Sequence, residues 1–282
     1  MTDRPVSGDA IEDDFYLEDT ITSDNEVESS VAVGTKRKAA NDSDNDDNES
    51  EQPKQQPPSK SKKKKQQQKK KRRANDPFQS LNHVYQADRE TQFQYVQDRQ
   101  RSALPNLSQV ELEEQILPQD QFVNNEQFKQ PEHTLDTLPN YIKFGMLHHK
   151  KLDKKPEVQQ PAVIVLTHAA MRAADLSRAM KPLGKVAKLF AKHMKIQEQA
   201  EFLKKEPVHL AVGTPNRVKA LIEQEHIKLD NLELVVVDTE RNAKRFTAFE
   251  NDAVRGDLYH LLGSYIAPRM NDKKTRLGLF YN

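Results

Sequence analysis

Five short apolar segments recur along the C-terminal half of the chain and set the first expectation about its fold. They are Ala162–Leu166, Val186–Phe190, Val208–Val212, Leu232–Val237 and Leu277–Tyr281. Continuous apolar runs of this length are typical of strands that are buried on both faces of a parallel sheet. The centres of the first four repeat every 22–25 residues, which is the spacing of successive strand–helix units. We therefore predict one parallel α/β domain over residues 161–282.

Amphipathic segments between these runs predict the connecting helices. Helices are expected at Ala169–Met180, Ile196–Leu203 and Val254–Ile266, and another is expected to begin at Thr214-Pro215. Threonine is a favoured N-cap residue, and proline is favoured at the first helical position. Alternating strands and helices indicate a doubly wound sheet, in which ligands bind outside the carboxyl ends of the strands.

Residues 76–160 show a weaker pattern. A helix is predicted over Pro77–Arg101, and the capping-box sequence Ser108–Glu111 predicts the start of a second helix. Leu117-Pro118 is expected to end that helix, because the residue before a proline disfavours the helical conformation. We predict a helical and extended segment that wraps around the domain or around a partner.

The first 75 residues lack the apolar pattern, and their charge is divided between two blocks. Residues 1–51 hold sixteen Asp or Glu against four Lys or Arg, whereas residues 52–73 hold eleven Lys or Arg and no acid. The formal net charge of +1 and the 35% hydrophobic content of the 282 residues conceal this division. Such segments cannot bury enough apolar surface to offset the entropy of ordering, so we predict a disordered tail over residues 1–75.

Two basic clusters in this tail suggest binding partners. They consist of Lys36, Arg37 and Lys38, and of Lys62, Lys63, Lys64, Lys65, Lys69, Lys70, Lys71, Arg72 and Arg73. Dense runs of lysine and arginine are typical of segments that nuclear import receptors or nucleic acids bind. The alternative is a linker that only keeps the chain soluble. The clusters favour a nuclear protein.

Other features of the sequence exclude several classes of protein. The absence of cysteine excludes disulfide scaffolds, thiolate catalysis and the usual structural zinc sites. No apolar run is long enough to span a bilayer, and the acidic first thirty residues lack the apolar core of a secretory signal. We therefore expect no membrane partner. The adjacent His148 and His149 make a poor metal pair, because neighbouring residues cannot share one helix face.

Several segments at the predicted strand ends resemble the motifs of DEAD-box RNA helicases. VGTPNRV at Val212–Val218 is similar to their V-G-T-P-G-R motif, and VVVDTERNAK at Val235–Lys244 is similar to the strand that ends in D-E-A-D. Leu166–His168 lies where P-T-R-E-L is expected, and the final LFYN lies where the strand leading to S-A-T is expected. The order resembles a helicase N-terminal RecA-like domain over roughly residues 160–282. Together with LTHAAMRAADL and the charged tail, the whole arrangement resembles the CMS family of small-ribosomal-subunit factors.

The departures from the helicase pattern predict that nucleotide chemistry is lost. No G-x-x-x-x-G-K-[ST] sequence occurs, so nucleotide phosphates would have no cradle of backbone amides. Asp238 is followed by Thr239, Glu240 lies one position late, and the sequence ends at Asn282, where a helicase continues into a second RecA domain. We predict a degenerate RecA-like (P-loop-NTPase-like) domain without a P-loop, and a protein with no catalytic residues, metal, cofactor or small-molecule substrate.

Asp238 is the vestigial nucleotide-site position under this interpretation. Two roles remain open for it: a carboxylate that holds magnesium through water, or a strand-end carboxylate that caps the following turn. Helicase motifs Ia and Ib contact the RNA backbone, so the resemblance also implies RNA-binding candidates. These are Thr167, Thr214, Arg217 and Lys219. Helix capping explains Thr214 equally well, whereas Arg217 in a first helical turn could hold a phosphate together with the helix N-terminus.

The resemblance implies a non-enzymatic ribosome biogenesis factor that acts in early small-subunit pre-ribosome assembly and 18S rRNA processing. It implies a location in the nucleus and nucleolus, with pre-ribosomal proteins, pre-rRNA and a nuclear import receptor as partners. The alternative is an RNA-stimulated ATPase or helicase-like enzyme that a partner completes. A methyltransferase or another doubly wound enzyme is a third alternative, although no G-x-G-x-x-G sequence supports it.

Overall fold

The computed structural model describes residues 76–78, 81, 83–129, 133–191 and 194–281. The predictions made for residues 1–75, including both basic clusters, lie outside these residues. Within the described ranges, no helix combines the length and apolar character needed to cross a membrane.

One five-stranded parallel sheet forms the centre of the molecule. Its strands are β1 (Val163–Leu166), β2 (Val186–Leu189), β3 (Leu210–Gly213), β4 (Leu234–Asp238) and β5 (Arg276–Phe280). Their order across the sheet is β2-β3-β1-β4-β5, and every neighbouring pair is parallel. The predicted fold class, α/β with a single parallel sheet, is confirmed. Every residue of β1, β3 and β4 is buried, as their continuous apolar sequences require.

Helices cover both faces of the sheet. The α-helices are α1 (Arg89–Ala103), α2 (Gln109–Glu114), α3 (Leu138–Gly145), α4 (Ala170–Met180), α5 (Ile196–Lys205), α6 (Pro215–Glu223), α7 (Arg255–Leu261) and α8 (Ala267–Asn271). Short 3-10 helices lie at Val84–Gln86, Gln119–Gln121, Asn125–Gln127, Leu135–Thr137, His149–Asp153 and Lys181–Leu183, and a π-helical segment at Leu262–Ile266 joins α7 to α8.

Alternate strand residues point to opposite faces, so the sheet separates two hydrophobic clusters. On one face, Ile164 and Leu166 pack in a cluster with residues of α1, α5, α6 and α7. On the other, Val163 and Val165 pack in a cluster with residues of α3 and α4. Both clusters therefore include helices from residues 76–160, which contact both faces of the sheet. The division of the chain at residue 160 stays a prediction.

The edge of the sheet at β5 is also covered by this segment. Phe122 forms an isolated parallel bridge with Leu277, and the amide of Val123 donates to the carbonyl of Leu277 over 2.8 Å. At Gly278, a Cβ atom would lie 2.7 Å from the Tyr141 hydroxyl oxygen. The absence of a side chain there lets α3 approach the strand closely.

The predicted helix over Pro77–Arg101 is wrong at its start. The α-helix begins only at Arg89, because Asp88 is its N-cap and accepts a hydrogen bond from the Thr91 amide. The side-chain amide of Gln92 donates to the carbonyls of Tyr85 and Ala87, and these bonds stabilise the non-helical backbone that precedes the helix.

The predicted capping box is confirmed. The Glu111 amide donates to the Ser108 hydroxyl over 3.3 Å, and the Ser108 amide donates to the Glu111 carboxylate over 2.7 Å. The prediction of one helix over Val254–Ile266 is wrong in its end point, since α7, the π-helical segment and α8 continue to Asn271. Helix α3 was not predicted from the sequence.

Candidate functional site

The segments that resemble helicase motifs meet at the carboxyl edge of the sheet. Thr167 and His168 follow β1, Thr214 follows β3, and Asp238 is the last residue of β4. Because β1 lies between β3 and β4 in a parallel sheet, these strand ends are neighbours in space. This edge is where ligands of doubly wound sheets bind.

A buried ion pair occupies the centre of this edge. Asp238 is fully buried, and its partner Arg172, in the first turn of α4, is only 7% exposed. The guanidinium of Arg172 donates from Nε to Asp238 Oδ2 over 3.1 Å and from Nη2 to Oδ1 over 3.2 Å. The Thr167 hydroxyl donates to Asp238 Oδ2 over 2.8 Å. Both carboxylate oxygens are therefore bonded to groups of this chain, in the bidentate geometry that arginine favours.

Glu240 extends the ion pair toward solvent. Arg172 Nε also lies 3.1 Å from Glu240 Oε2. Burial raises the pKa of Glu240, and the charge of Arg172 opposes that shift. Burial acts to lower the pKa of Arg172, but the hydrogen bond and charge of Asp238 outweigh it and raise that pKa. The Arg172 guanidinium thus neutralises the buried Asp238 carboxylate and also stabilises the neighbouring Glu240 carboxylate.

A divalent cation does not fit this donor set. Ligand atoms of His168, Asp238 and Glu240 lie within 4.8 Å of one another, which is the spacing of a metal site. However, the Arg172 guanidinium is bonded to both carboxylates, so an ion would have to displace a buried cation. The magnesium role left open for Asp238 is therefore not supported. The capping role is minor, since the Glu240 amide lies 3.4 Å from Asp238 Oδ1.

Thr167 is fully buried beside Asp238. Its amide donates to the Gly213 carbonyl over 3.0 Å, and its hydroxyl is bonded to the carboxylate. The structure therefore gives Thr167 an internal partner and no exposed atom for an RNA backbone.

Gly213 and Thr214 join the ends of two strands. A Cβ atom on Gly213 would lie 2.1 Å from the carbonyl oxygen of Leu189 in β2, so only glycine permits this approach. The Thr214 amide donates to the same carbonyl over 3.1 Å. Thr214 is the N-cap residue of α6 and Pro215 is its first residue, as predicted, but the Thr214 side chain makes no capping hydrogen bond.

Arg217 is bonded within the fold. Its Nη1 donates to the Met194 carbonyl over 3.0 Å and to Gln199 Oε1 over 2.9 Å. Gln199 is 1% exposed, and its own amide donates to the carbonyls of Lys188 and Phe190. Arg217 thereby connects α6, the start of α5 and the end of β2.

Lys219 pairs with Asp257 across α6 and α7. The two charged groups lie 2.5 Å apart, and Asn216 donates to the second oxygen of Asp257 over 3.0 Å. The hydrogen bond to Asp257 raises the pKa of Lys219. Burial acts to raise the pKa of Asp257, but its bonds to Lys219 and Asn216 outweigh burial and lower that pKa.

An aromatic cluster lies beside the end of β5. The His133 ring stacks on Phe280 at 5.1 Å between centroids and lies 4.6 Å from the ring of Tyr85. Burial lowers the pKa of His133 to about 4. Nearby, Asn125 donates to the carbonyls of Tyr85 and Leu279, so this cluster attaches the segment before β1 to the last strand.

The sequence contained a signal for Arg172 but none for His133. Arg172 shares a helix face with the buried Leu176, and α4 has no acid in its first turn to balance it. A basic residue on a buried face requires an acid nearby, and Asp238 ends the neighbouring strand. His133 lies in an irregular segment without apolar periodicity, so its burial could not be predicted.

The fold and this site define a single-sheet α/β protein in which the helicase-like motif residues Thr167, Asp238, Arg217 and Lys219 are bonded within the fold. The model of a protein family described as "CMS1: U3-containing 90S pre-ribosomal complex subunit" matches residues 33–281. The chain therefore belongs to the CMS1 family, as its resemblance to CMS proteins suggested.

Individual relatives agree with this assignment. Human Protein CMSS1 is 32% identical over 177 residues, which cover 61% of this chain and 61% of the relative. Protein CMS1 of Chaetomium thermophilum is 38% identical over 137 residues, covering 47% of this chain and 54% of the relative. The matches thus span between about half and three fifths of the length of these relatives. A solved structure of Saccharomyces cerevisiae dbp5, bound to nup159, gle1, IP6 and ADP, is 15% identical, with a TM-score of 0.35 over 66% of this chain and 45% of that one.

Proposed function

We propose that this chain is a non-enzymatic assembly factor of the early small-subunit pre-ribosome that acts in 18S rRNA processing. Membership in a family described as a subunit of the U3-containing 90S pre-ribosomal complex supports a role in ribosome biogenesis. The proposed location is the nucleus and nucleolus, and the proposed partners are pre-ribosomal proteins and pre-rRNA. A nuclear import receptor would bind the basic clusters of the tail.

The observation that carries the non-enzymatic part is the ion pair between Arg172 and Asp238. Phosphoryl transfer depends on groups that position the phosphates and neutralise their charge. Here the carboxylate at the end of β4 is fully buried and bonded to an internal guanidinium. No Walker sequence supplies a phosphate cradle. The edge of the sheet therefore serves the stability of the domain.

The RNA-binding candidates at this edge stay predictions. Arg217 Nη1 and the Lys219 ammonium donate to Gln199 and Asp257, so their other N–H donors would have to make any contact with phosphate while these bonds persist. The Thr214 hydroxyl does not cap α6, so capping does not compete with an RNA contact there.

Affinity purification of the tagged full chain from growing cells tests the proposed function. Pre-ribosomal RNA and early small-subunit assembly factors should co-purify, and in-cell RNA crosslinking should place the chain on small-subunit precursors. A parallel sample without residues 1–75 separates the contribution of the tail from that of the folded part. A set of partners that contains neither pre-rRNA nor assembly factors would contradict the proposal.

The second candidate is an RNA-stimulated ATPase that a partner completes. The clustering of His168, Asp238 and Glu240 is the observation that favours it. Burial lowers the pKa of His168, which favours the neutral imidazole that could act as a ligand. Metal binding at this site would require the Arg172 side chain to leave the carboxylates of Asp238 and Glu240. A partner or a nucleotide would have to cause that movement.

A further inference from the structure

A basic cleft lies at the amino edge of the sheet, opposite the helicase-like motifs. Lys151, Lys154 and Lys155 line it together with Gln160, His209 and Asn231. Gln160 precedes β1, His209 precedes β3 and Asn231 precedes β4, so the cleft is formed where these parallel strands begin. The lysines belong to the 3-10 helix His149–Asp153 and the residues that follow it.

The lysine segment is anchored to the sheet by polar contacts. The carboxylate of Glu233 accepts the His148 amide over 2.9 Å and lies 3.4 Å from the Lys151 ammonium. The same ammonium donates to the Asn231 carbonyl over 3.0 Å. Further along, His209 Nε2 lies 2.8 Å from the Lys154 carbonyl, so Nε2 carries the proton and donates. The backbone that carries the lysines is therefore fixed on both sides of the cleft.

The charge of the cleft is not balanced by the chain itself. Lys154 and Lys155 are exposed, and neither takes part in an ion pair with any residue that the structure describes. Lys151 is offset by Glu233, and Glu157 is the acid among the lining residues. On the same 3-10 helix, the exposed Lys150 adds a positive charge and the exposed Asp153 offsets it.

We propose that this cleft binds the phosphodiester backbone of RNA. The lining consists of ammonium, amide and imidazole groups, which are the side chains that contact phosphate and sugar. Its lining contains no phenylalanine, tyrosine or tryptophan ring on which a base could stack, so the contact would be independent of sequence. This inference rests on the proposed function, because a pre-ribosomal particle is the source of the RNA.

The test compares two lysine pairs in the full chain. The variant with Lys154→Gln and Lys155→Gln removes two charges of the cleft that have no ion partner among the described residues. The control variant with Lys204→Gln and Lys205→Gln removes two exposed lysine charges at the end of α5. The probe is a fluorescently labelled oligouridylate of about 15 nucleotides, measured by anisotropy over a range of salt concentrations. The slope of log affinity against log salt is negative, and loss of two phosphate contacts should reduce its magnitude by about 1.4. Binding should weaken about 5-fold per lysine near 0.1 M salt.

Lysine acetylation footprinting of the unmodified full chain locates the contact independently of the tail. Oligouridylate should protect Lys154 and Lys155 more than Lys204 and Lys205. Equal protection of the two pairs, or equal affinities and salt slopes of the two variants, would overturn the cleft while leaving the pre-ribosomal role intact. Protection by polyglutamate and not by RNA would overturn it in favour of an acidic protein partner. Absence of both pre-ribosomal RNA and early assembly factors from the purification described above would instead overturn the proposed function.

Discussion

The two edges of the sheet use their positive charges in different ways. At the carboxyl edge, Arg172 is bonded to Asp238, Arg217 to Gln199, and Lys219 to Asp257. At the amino edge, Lys154 and Lys155 carry exposed ammonium groups without an ion pair in the described part of the chain. The helicase-like motif residues Arg217 and Lys219 therefore make internal bonds, whereas Lys154 and Lys155 at the opposite edge have no ion partner among the described residues.

Residues that resemble helicase motifs therefore have structural roles in this protein that differ from ligand binding. A strand end of a parallel sheet needs residues that satisfy its buried polar groups whether or not a ligand binds there. Asp238 and Thr167 satisfy each other and Arg172 in this way. The lysines of the cleft resemble no motif of the helicases, yet Lys154 and Lys155 have exposed ammonium groups without an ion partner among the described residues.

The largest expected effect comes from breaking the central ion pair. Arg172→Ala leaves the buried Asp238 carboxylate without its cation and should lower the free energy of unfolding by about 3–5 kcal/mol, measured by urea denaturation. Arg178→Ala is the matched control, because its exposed pair with Asp175 on the same helix should contribute at most about 0.5 kcal/mol. In a double-mutant cycle with Asp238→Ala, the two losses should not add. Additive losses would show that the carboxyl edge does not depend on this pair.

The next effect concerns the buried imidazole at the same edge. The pKa of His133 is lowered by burial to about 4, against 6.5 for an exposed histidine. Because the unfolded chain binds the proton more readily, the contribution of His133 to stability is complete above pH 6.5 and is lost as the pH falls toward 4. This loss should amount to about 3 kcal/mol. His133→Phe should remove it from the pH profile, whereas His149→Phe, at an exposed position, should leave the profile unchanged. A profile that is identical in all three proteins would show that His133 is accessible.

A smaller effect is expected where β2 and β3 approach each other. Gly213→Ala places a methyl group against the Leu189 carbonyl and should lower the free energy of unfolding by about 1–3 kcal/mol. Gly256→Ala is the control, since nothing lies within 4 Å of its added Cβ atom in helix α7. It should be neutral or stabilising by up to about 1 kcal/mol. Equal behaviour of the two variants would mean that the glycine of the GTPNRV segment is not required for packing.

The smallest effect sharpens the contrast between the two edges. Lys219→Met removes a partly exposed ion pair with Asp257 and should lower the free energy of unfolding by about 0.5–1 kcal/mol. Its affinity for oligouridylate should remain close to that of the unmodified chain. A larger loss of RNA affinity than in the variant with Lys154→Gln and Lys155→Gln would reverse the roles assigned to the two edges.

Sequence patterns predicted the strands of the sheet and the Ser108–Glu111 capping box, because these depend on residues that are close together in the sequence. The five strands follow from continuous apolar runs, and the Ser108–Glu111 capping box follows from its own side chains. The start of α1 was missed although Asp88, a favoured N-cap residue, marks it in the sequence; a hydrogen bond from Gln92 to the carbonyl of Tyr85 stabilises the turn before it. Helix α3 was missed although its buried residues Leu138, Tyr141 and Ile142 have the i, i+3, i+4 spacing of a helix and a proline stands in its first turn, so its sequence did carry a signal.

The sequence marked Thr167 and Asp238 as residues at strand ends, and it did not predict the order of the strands. The observed pairing of β1 with β4 places these two residues side by side. The pairing of Asp238 with Arg172 depends on how a helix face packs over the sheet, which the spacing of residues along the chain does not determine. The cleft at the amino edge combines segments that are far apart in the sequence, so no single motif could reveal it.

Titration of the full chain with ATP and magnesium in a calorimeter, with and without oligouridylate, tests the central claim most directly. Because Arg172 already neutralises Asp238 and no phosphate cradle is present, we expect no saturable heat of nucleotide binding. A saturable isotherm that Asp238→Asn or Glu240→Gln abolishes, in proteins that remain folded, would contradict the account and establish a working nucleotide site at the carboxyl edge.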